Sequence, residues 1–287
     1  MTTATADFEV FHESWGLERA SAFDYAADYV ASEALRRSRV AAGVCSVSGE
    51  LDTFILFGDS FREDLMAARS GSSSRMRSMA ATMSWAVLGH PLASVRATCA
   101  ELASRSARVY MAETSGAFYE AMRAHAGDAL TGSEYFGPQY RPGEIVGGVR
   151  HEDLQQLSFA DAAFDLVITE DVMEHVPDAP AAEAEIVRVL RPGGWYVFSI
   201  PFYFTLRHDR IRASLRGDGT IAHAETAEYH RDPIRGEGVL VYRDFSEFDL
   251  RERFTALGCS FDIIRLWSPV LGILGGDMIV MAVRKLR

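Results

Sequence analysis

Three carboxylates and two histidines hold most of the chemistry this sequence offers. Glu113, Glu134 and Asp153 follow three successive runs that read as strands, at 108–112, 129–133 and 145–149. In doubly wound sheets a ligand lies across the carboxyl ends of the strands, where such carboxylates can accept hydrogen bonds from sugar hydroxyls or an exocyclic amine. Glu134 comes 21 residues after Glu113, close to the spacing of the acidic residue that follows a nucleotide-binding loop. Each carboxylate alone is most simply a solvated loop residue; three in series point to a nucleoside site. The neighbouring candidates are Thr114 and Gly116 after the first run, Tyr135 beside Glu134, Leu154 beside Asp153, and Thr169 with Glu170 at the end of a fourth run.

The histidines supply proton chemistry, because an imidazole exchanges its proton near neutral pH. His175 sits in Glu174-His175-Val176, and His230 is flanked by Glu228, Tyr229 and Asp232, which could orient its ring. His230, helped by Tyr229, is the preferred substrate-side base, set against a plain loop-anchoring role. For His175 a structural or cofactor-adjacent role weighs at least as much as catalysis. His208 and His223 lack such a setting. Phe202, Tyr203 and Phe204 offer an apolar lining, although core packing is the commoner fate of such residues.

The elements that must position these residues are legible around Phe164–Pro201. Phe164-Asp165-Leu166-Val167-Ile168-Thr169 reads as a buried parallel strand. A helix follows with Ile186, Val187 and Leu190 on one face, stopped by Arg188, Arg191, Pro192 and Gly193-Gly194. Trp195–Ile200 is the next strand, completing a βαβ crossover. Upstream, helices are predicted over 17–41, 74–88, 91–104 and 116–126, with a β excursion over 44–60. Downstream come an Arg-, His- and Asp-rich insertion at 202–243, a helix over 246–257 with Ser246 as N-cap, and closing strands at 261–267 and 278–284.

The phrases FDLV, EHV and VLRPGG, in that order, resemble the second half of class I S-adenosylmethionine (SAM) dependent methyltransferases. The resemblance implies an α/β, Rossmann-like, doubly wound seven-stranded sheet ending in an antiparallel pair, over 106–287, with a mainly helical extension at 1–105. It implies SAM as cofactor and S-adenosylhomocysteine as product, with Glu134 on the ribose hydroxyls and Asp153 near the adenine amine. Gly132-Ser133-Glu134-Tyr135 and Glu228-Tyr229-His230-Arg231-Asp232-Pro233 are similar to the GSEY and EYHGDP phrases of a subgroup whose first glycine loop is shortened. Here that loop, Glu113-Thr114-Ser115-Gly116-Ala117, holds one glycine.

Members of that subgroup often begin with two CxxCG knuckles suited to tetrahedral zinc. The matching phrases here are Cys45-Ser46-Val47-Ser48-Gly49 and Ala67-Ala68-Arg69-Ser70-Gly71. One thiol remains of four, so a zinc-ribbon relic without metal is expected, against the alternative of two unrelated glycine turns. Three scattered cysteines imply no disulfide framework and fit a reducing cytoplasm. A balance of 29 basic against 40 acidic residues argues against a nucleic-acid partner. No signal peptide and no membrane-spanning run is read from the sequence. The expected substrate is a small, natural-product-like molecule, with room for a homodimer. Two other readings stay open: a methyltransferase fold redirected to cyclisation or rearrangement, and a non-catalytic partner protein.

Overall fold

Apolar runs that become strands and helices with serine caps account for most of the architecture. The computed structural model describes residues 7–12, 25–203, 205–231, 236, 238–276 and 278–287. In chain order the first elements are β1 (Asp7–Phe11), α1 (Tyr25–Ser38), β2 (Val40–Val44), β3 (Leu51–Leu56), a single helical turn α2 (Phe61–Asp64) and β4 (Leu65–Ala67). Then come α3 (Ser74–Leu88), α4 (Val95–Ser104), β5 (Val109–Met111), α5 (Gly116–Ala126) and β6 (Leu130–Gly132). A hairpin β7 (Ile145–Val146) and β8 (Val149–Arg150) precedes β9 (Phe164–Glu170), α6 (Ala179–Val189) and β10 (Leu190–Ser199). The remaining elements are β11 (Arg210–Ile211), β12 (Ala213–Leu215), β13 (Ile221–His223), β14 (Tyr229–Arg231), β15 (Gly238–Leu240), β16 (Arg243–Asp244), α7 (Glu247–Ala256), β17 (Cys259–Trp267) and β18 (Ile279–Lys285).

The main sheet has seven strands in the order β1-β17-β18-β10-β9-β5-β6. β5 and β10 flank β9 in parallel, and β1 pairs antiparallel with β17. The sheet is the doubly wound, Rossmann-like mixed sheet that the sequence implied. Its membership differs in one place. The predicted strand at 145–149 is instead the two-residue hairpin β7–β8, because Gly147 (φ +60°) and Gly148 (φ +88°) form a tight turn in its middle. What remains beside strand β6 is an isolated parallel bridge between Glu134 and His151. The seventh strand is β1, which the sequence reading did not predict. The helix before β10 also ends one residue earlier than its apolar face suggested. Leu190 already pairs with Phe164, and Pro192-Gly193-Gly194 form a bulge before Trp195 resumes the ladder opposite Leu166.

By contacts the chain divides into two units, one of residues 1–108, 116–130 and 262–282, the other of 109–115, 131–261 and 283–287. Helix α5 goes with unit one, as do most of β17 and part of β18, since β1 pairs along β17. Unit one carries the antiparallel sheet β2-β3-β4 where the sequence reading placed a β excursion over 44–60. Its helices start as their sequences require: Ser73 and Ser94 accept hydrogen bonds from Met76 N (3.3 Å) and Ala97 N (3.3 Å), caps worth about 0.5–2 kcal/mol each.

The core of unit two is aromatic. Tyr110, Phe159 and Phe164 meet with ring centroids 4.9–5.4 Å apart, and Tyr196 stacks on Phe198 at 4.3 Å. Residues 166–168 are buried on both faces, as a continuous apolar parallel strand must be. No helix among the described residues is long and apolar enough to cross a membrane.

Candidate functional site

The chain leaves β9 through a sharp turn that decides where the next side chains go. Asp171 adopts φ +50°; its N–H donates to Ser199 O (3.0 Å) and its carboxylate accepts from Ser199 Oγ (2.7 Å). The polypeptide then enters a single 3-10 turn, Met173–His175, which buries Glu174 and leaves His175 partly exposed.

The insertion is built of three two-stranded ribbons, β11·β16, β12·β13 and β14·β15, and it docks on this turn. Tyr242 N donates to Glu174 O (2.8 Å), and His175 Nδ1 lies 2.9 Å from Leu240 O. A carbonyl can only accept, so Nδ1 carries the proton and Nε2 holds the lone pair of the neutral ring. On β14 the side chains alternate: His230 turns inward while Tyr229 and Arg231 point to solvent. Tyr229, read from the sequence as a helper of His230, is 59% exposed; the two-residue period of the strand sends it to the face opposite His230.

Glu174, His175 and His230 thus meet. Glu174 Oε1 is 3.4 Å from His230 Nδ1 and 3.7 Å from His175 Nε2, and the imidazoles are edge to face with centroids 5.0 Å apart. His230 Nε2 lies 3.5 Å from Glu228 Oε1, whose other oxygen pairs with Arg212 at 2.9 Å. Burial pushes the Glu174 carboxyl above its usual range, against the pull of His230. The Glu174 carboxylate, 3.4 Å away, in turn raises His230, with burial opposing and Glu228 reinforcing. A histidine raised in this way is a stronger base.

Among the predicted nucleoside residues, Thr114 and Glu134 form a second cluster. The Glu134 carboxylate accepts from both Thr114 N (2.6 Å) and Thr114 Oγ1 (2.8 Å), tying the loop after β5 to the end of β6. Glu113 is partly buried in that loop, and Tyr135 is exposed. Asp153 accepts from Gln155 N (2.9 Å) and Gln155 Nε2 (3.0 Å), closing its own turn. Leu154 beside it is buried. That turn is braced by buried Glu152, which takes Arg150 Nε at 2.6 Å and Ser158 N at 2.9 Å. Thr169 is fully buried and hydrogen-bonds Tyr196 (2.8 Å), so its hydroxyl belongs to the core; Glu170 is buried as well. Gly116 belongs to unit one and starts α5 at φ +90°.

Outside both clusters, His208 is exposed beside Asp249, and His223 is exposed on β13. Phe204 and Asp232-Pro233 lie outside the described residues. Glu174 was not singled out from the sequence. Its signal was its position one residue before His175, directly after a buried strand.

The two knuckle phrases in unit one fold alike. Gly49 N donates to Cys45 O (2.7 Å) and Gly71 N to Ala67 O (2.9 Å), with both glycines at positive φ. Cys45 Sγ contacts Ser70 Oγ and Ser72 Oγ at 3.3 Å each. A cleft of about 620 Å³ opens beside them, lined by Ser48, Glu50, Arg69, Ser70, Glu120 and His125 among others.

Comparison with known proteins bears on the second unit most. Residues 94–198 match the methyltransferase domain family. A probable S-adenosylmethionine-dependent methyltransferase of Mycolicibacterium smegmatis is 39% identical over 62 residues, 22% of this chain and 24% of that protein. A dimethylglycine N-methyltransferase of Parasynechococcus marenigrum is 40% identical over 53 residues, 18% and 19% of the two chains. The chain thus spans about a quarter or less of the length of these relatives. Among solved structures, the Burkholderia thailandensis 1,6-didemethyltoxoflavin-N1-methyltransferase is 21% identical, covering 67% of this chain and 78% of that one at a TM-score of 0.39. An amino pentose methyltransferase from Micromonospora echinaspora is 17% identical, covering 67% and 92% at 0.40. Residues 94–198 thus resemble a methyltransferase domain.

Proposed function

We propose that the protein is a SAM-dependent methyltransferase acting on a small-molecule acceptor. The observation that carries this reading is the pairing of a methyltransferase-type segment with an acid/base cluster directly after the fourth strand of its sheet. SAM supplies an already activated methyl group, so the protein's tasks are to align a nucleophile and remove its proton. Glu134 is fixed by Thr114 at the end of β6, where its carboxylate would accept from the ribose hydroxyls. Asp153, on a turn braced by Glu152, would serve the adenine edge. His230 would take the acceptor's proton, its basicity raised by Glu174 and its outer nitrogen oriented by Glu228. The net charge of −11 fits a small acceptor better than a polyanion. The dimethylglycine enzyme among the relatives carries a small substrate in its name.

One observation favours the redirected-fold reading. Thr114 and Gln155 already engage the two carboxylates meant for the nucleoside. Calorimetry with S-adenosylhomocysteine, followed by a turnover assay, separates the alternatives. The proposal expects one-to-one binding with a Kd on the order of micromolar, about −8 kcal/mol. No heat and no thermal shift at saturating ligand would defeat it, while binding without methyl transfer to any acceptor would support the redirected fold.

A further inference from the structure

Neither oxygen of Glu174 accepts a hydrogen bond of ordinary geometry among the described residues, although the side chain is 1% exposed. A buried carboxylate left this way is costly, and such groups are found paired or bound to a metal. The nearest groups are two imidazole nitrogens, and one of them, His175 Nε2, presents a lone pair when the ring is neutral. Two acceptors facing each other at 3.7 Å call for a cation between them.

We propose that Glu174, His175 and His230 form a binding site for a divalent first-row transition metal ion. Three features of the geometry support it. The three donor atoms lie within 4.8 Å of one another. Two ligands held about 2.1 Å from an ion at tetrahedral or octahedral angles stand about 3.0–3.4 Å apart; the 3.4 and 3.7 Å separations here need only a small adjustment. Both imidazoles also have the outer partner that metal-bound histidines use to fix the ring. His175 Nδ1–H is held by Leu240 O, and His230 Nε2 faces Glu228, itself anchored by Arg212.

Two nitrogens and one oxygen suit zinc, cobalt(II), iron(II) or manganese(II), and three protein ligands leave positions open for a further ligand. The His230 side chain is 32% exposed, giving an ion a way in. All the residues involved belong to unit two. The site stands on its own geometry; a bound ion takes the His230 Nδ1 lone pair, so proton removal by His230 belongs to the metal-free protein, and only a role for the ion in holding an acceptor nucleophile would rest on the methyltransferase reading.

The test is titration of the full chain, stripped with chelator, with cobalt(II) followed by its visible spectrum and with zinc(II) by calorimetry. SAM is absent from both, so failure here leaves the methyltransferase reading untouched. Expected is one ion per chain with nitrogen- and oxygen-type cobalt bands. His230→Ala should weaken binding by at least tenfold, and Glu228→Gln by roughly tenfold through the outer shell. Glu174→Gln should do the same if it folds; the partly exposed His230 keeps the test decisive if it does not. His223→Ala should leave binding unchanged. No uptake, binding unaffected by His230→Ala, or a thiolate-type cobalt spectrum lost in Cys45→Ser would each overturn the proposal.

Discussion

In unit one, two turns ending in Gly49 and Gly71 share one backbone hydrogen-bond pattern and offer one thiol among serines and alanine. In unit two, Glu174, His175 and His230 come from a 3-10 turn and a strand 55 residues further on, with no spacing pattern to announce them, yet their donor atoms converge. Knuckle backbone is written in local sequence, because glycine at the fifth position licenses the left-handed turn. Convergence of donors is a tertiary fact. Local backbone form and the convergence of side-chain donors are thus separate properties, the first readable from a short phrase and the second only from the folded chain.

The largest predicted effect concerns what holds the β2-β3-β4 sheet of unit one together. Arg77 is fully buried and donates to Leu271 O (3.0 Å), Leu65 O (2.9 Å), Gly272 O (2.7 Å) and Ser72 O, its pKa lowered by burial to about 10. Arg77→Met should cost about 3–5 kcal/mol by orphaning those carbonyls, read from urea denaturation. A loss under about 1 kcal/mol would mean the sheet is held otherwise.

Next in size is His230→Ala, expected to cut turnover by roughly 10²-fold, about 2.7 kcal/mol of barrier, while S-adenosylhomocysteine affinity stays nearly intact. An equal loss of both would show a collapsed insertion instead, and full activity would leave His175 as the base. Glu134→Ala should weaken S-adenosylhomocysteine binding by roughly 1–3 kcal/mol, measured by calorimetry; unchanged affinity would place the ribose elsewhere.

The smallest effect belongs to Cys45. Burial raises its thiol, but hydrogen bonds from Ser70, Ser72 and Ser48 outweigh it and the net shift is below 9.0. A pKa depressed in the folded state contributes stability above the unfolded value, and that contribution is lost as pH falls through the folded value. Wild type should therefore gain on Cys45→Ala as pH rises towards 9.0, in paired urea midpoints. Parallel curves would show that the serines do not stabilise the thiolate.

How far the sequence reached follows from the same contrast. β9 and β10 were legible because parallel strands buried on both faces are unbroken apolar runs. Helices α3, α5 and α7 were legible as helix-prone runs, with Ser246 N-capping α7 as expected. The third strand was misread because Ile145–Val149 counts as apolar while Gly147-Gly148 folds it back. β1 was missed because its pairing with β17 spans nearly the whole chain. Of the candidate site, Glu134 lies just after β6 and His230 on the less exposed face of β14, strand alternation puts Tyr229 on the exposed face, and Glu174 carries no signal beyond its place beside His175.

The most direct test of the account is a crystal structure of the protein with S-adenosylhomocysteine. The nucleoside should lie across the ends of β5 and β6 with its ribose hydroxyls on the Glu134 carboxylate. Density for it in the cleft beside Ser48 and Ser70, or at no place on unit two, would contradict the account.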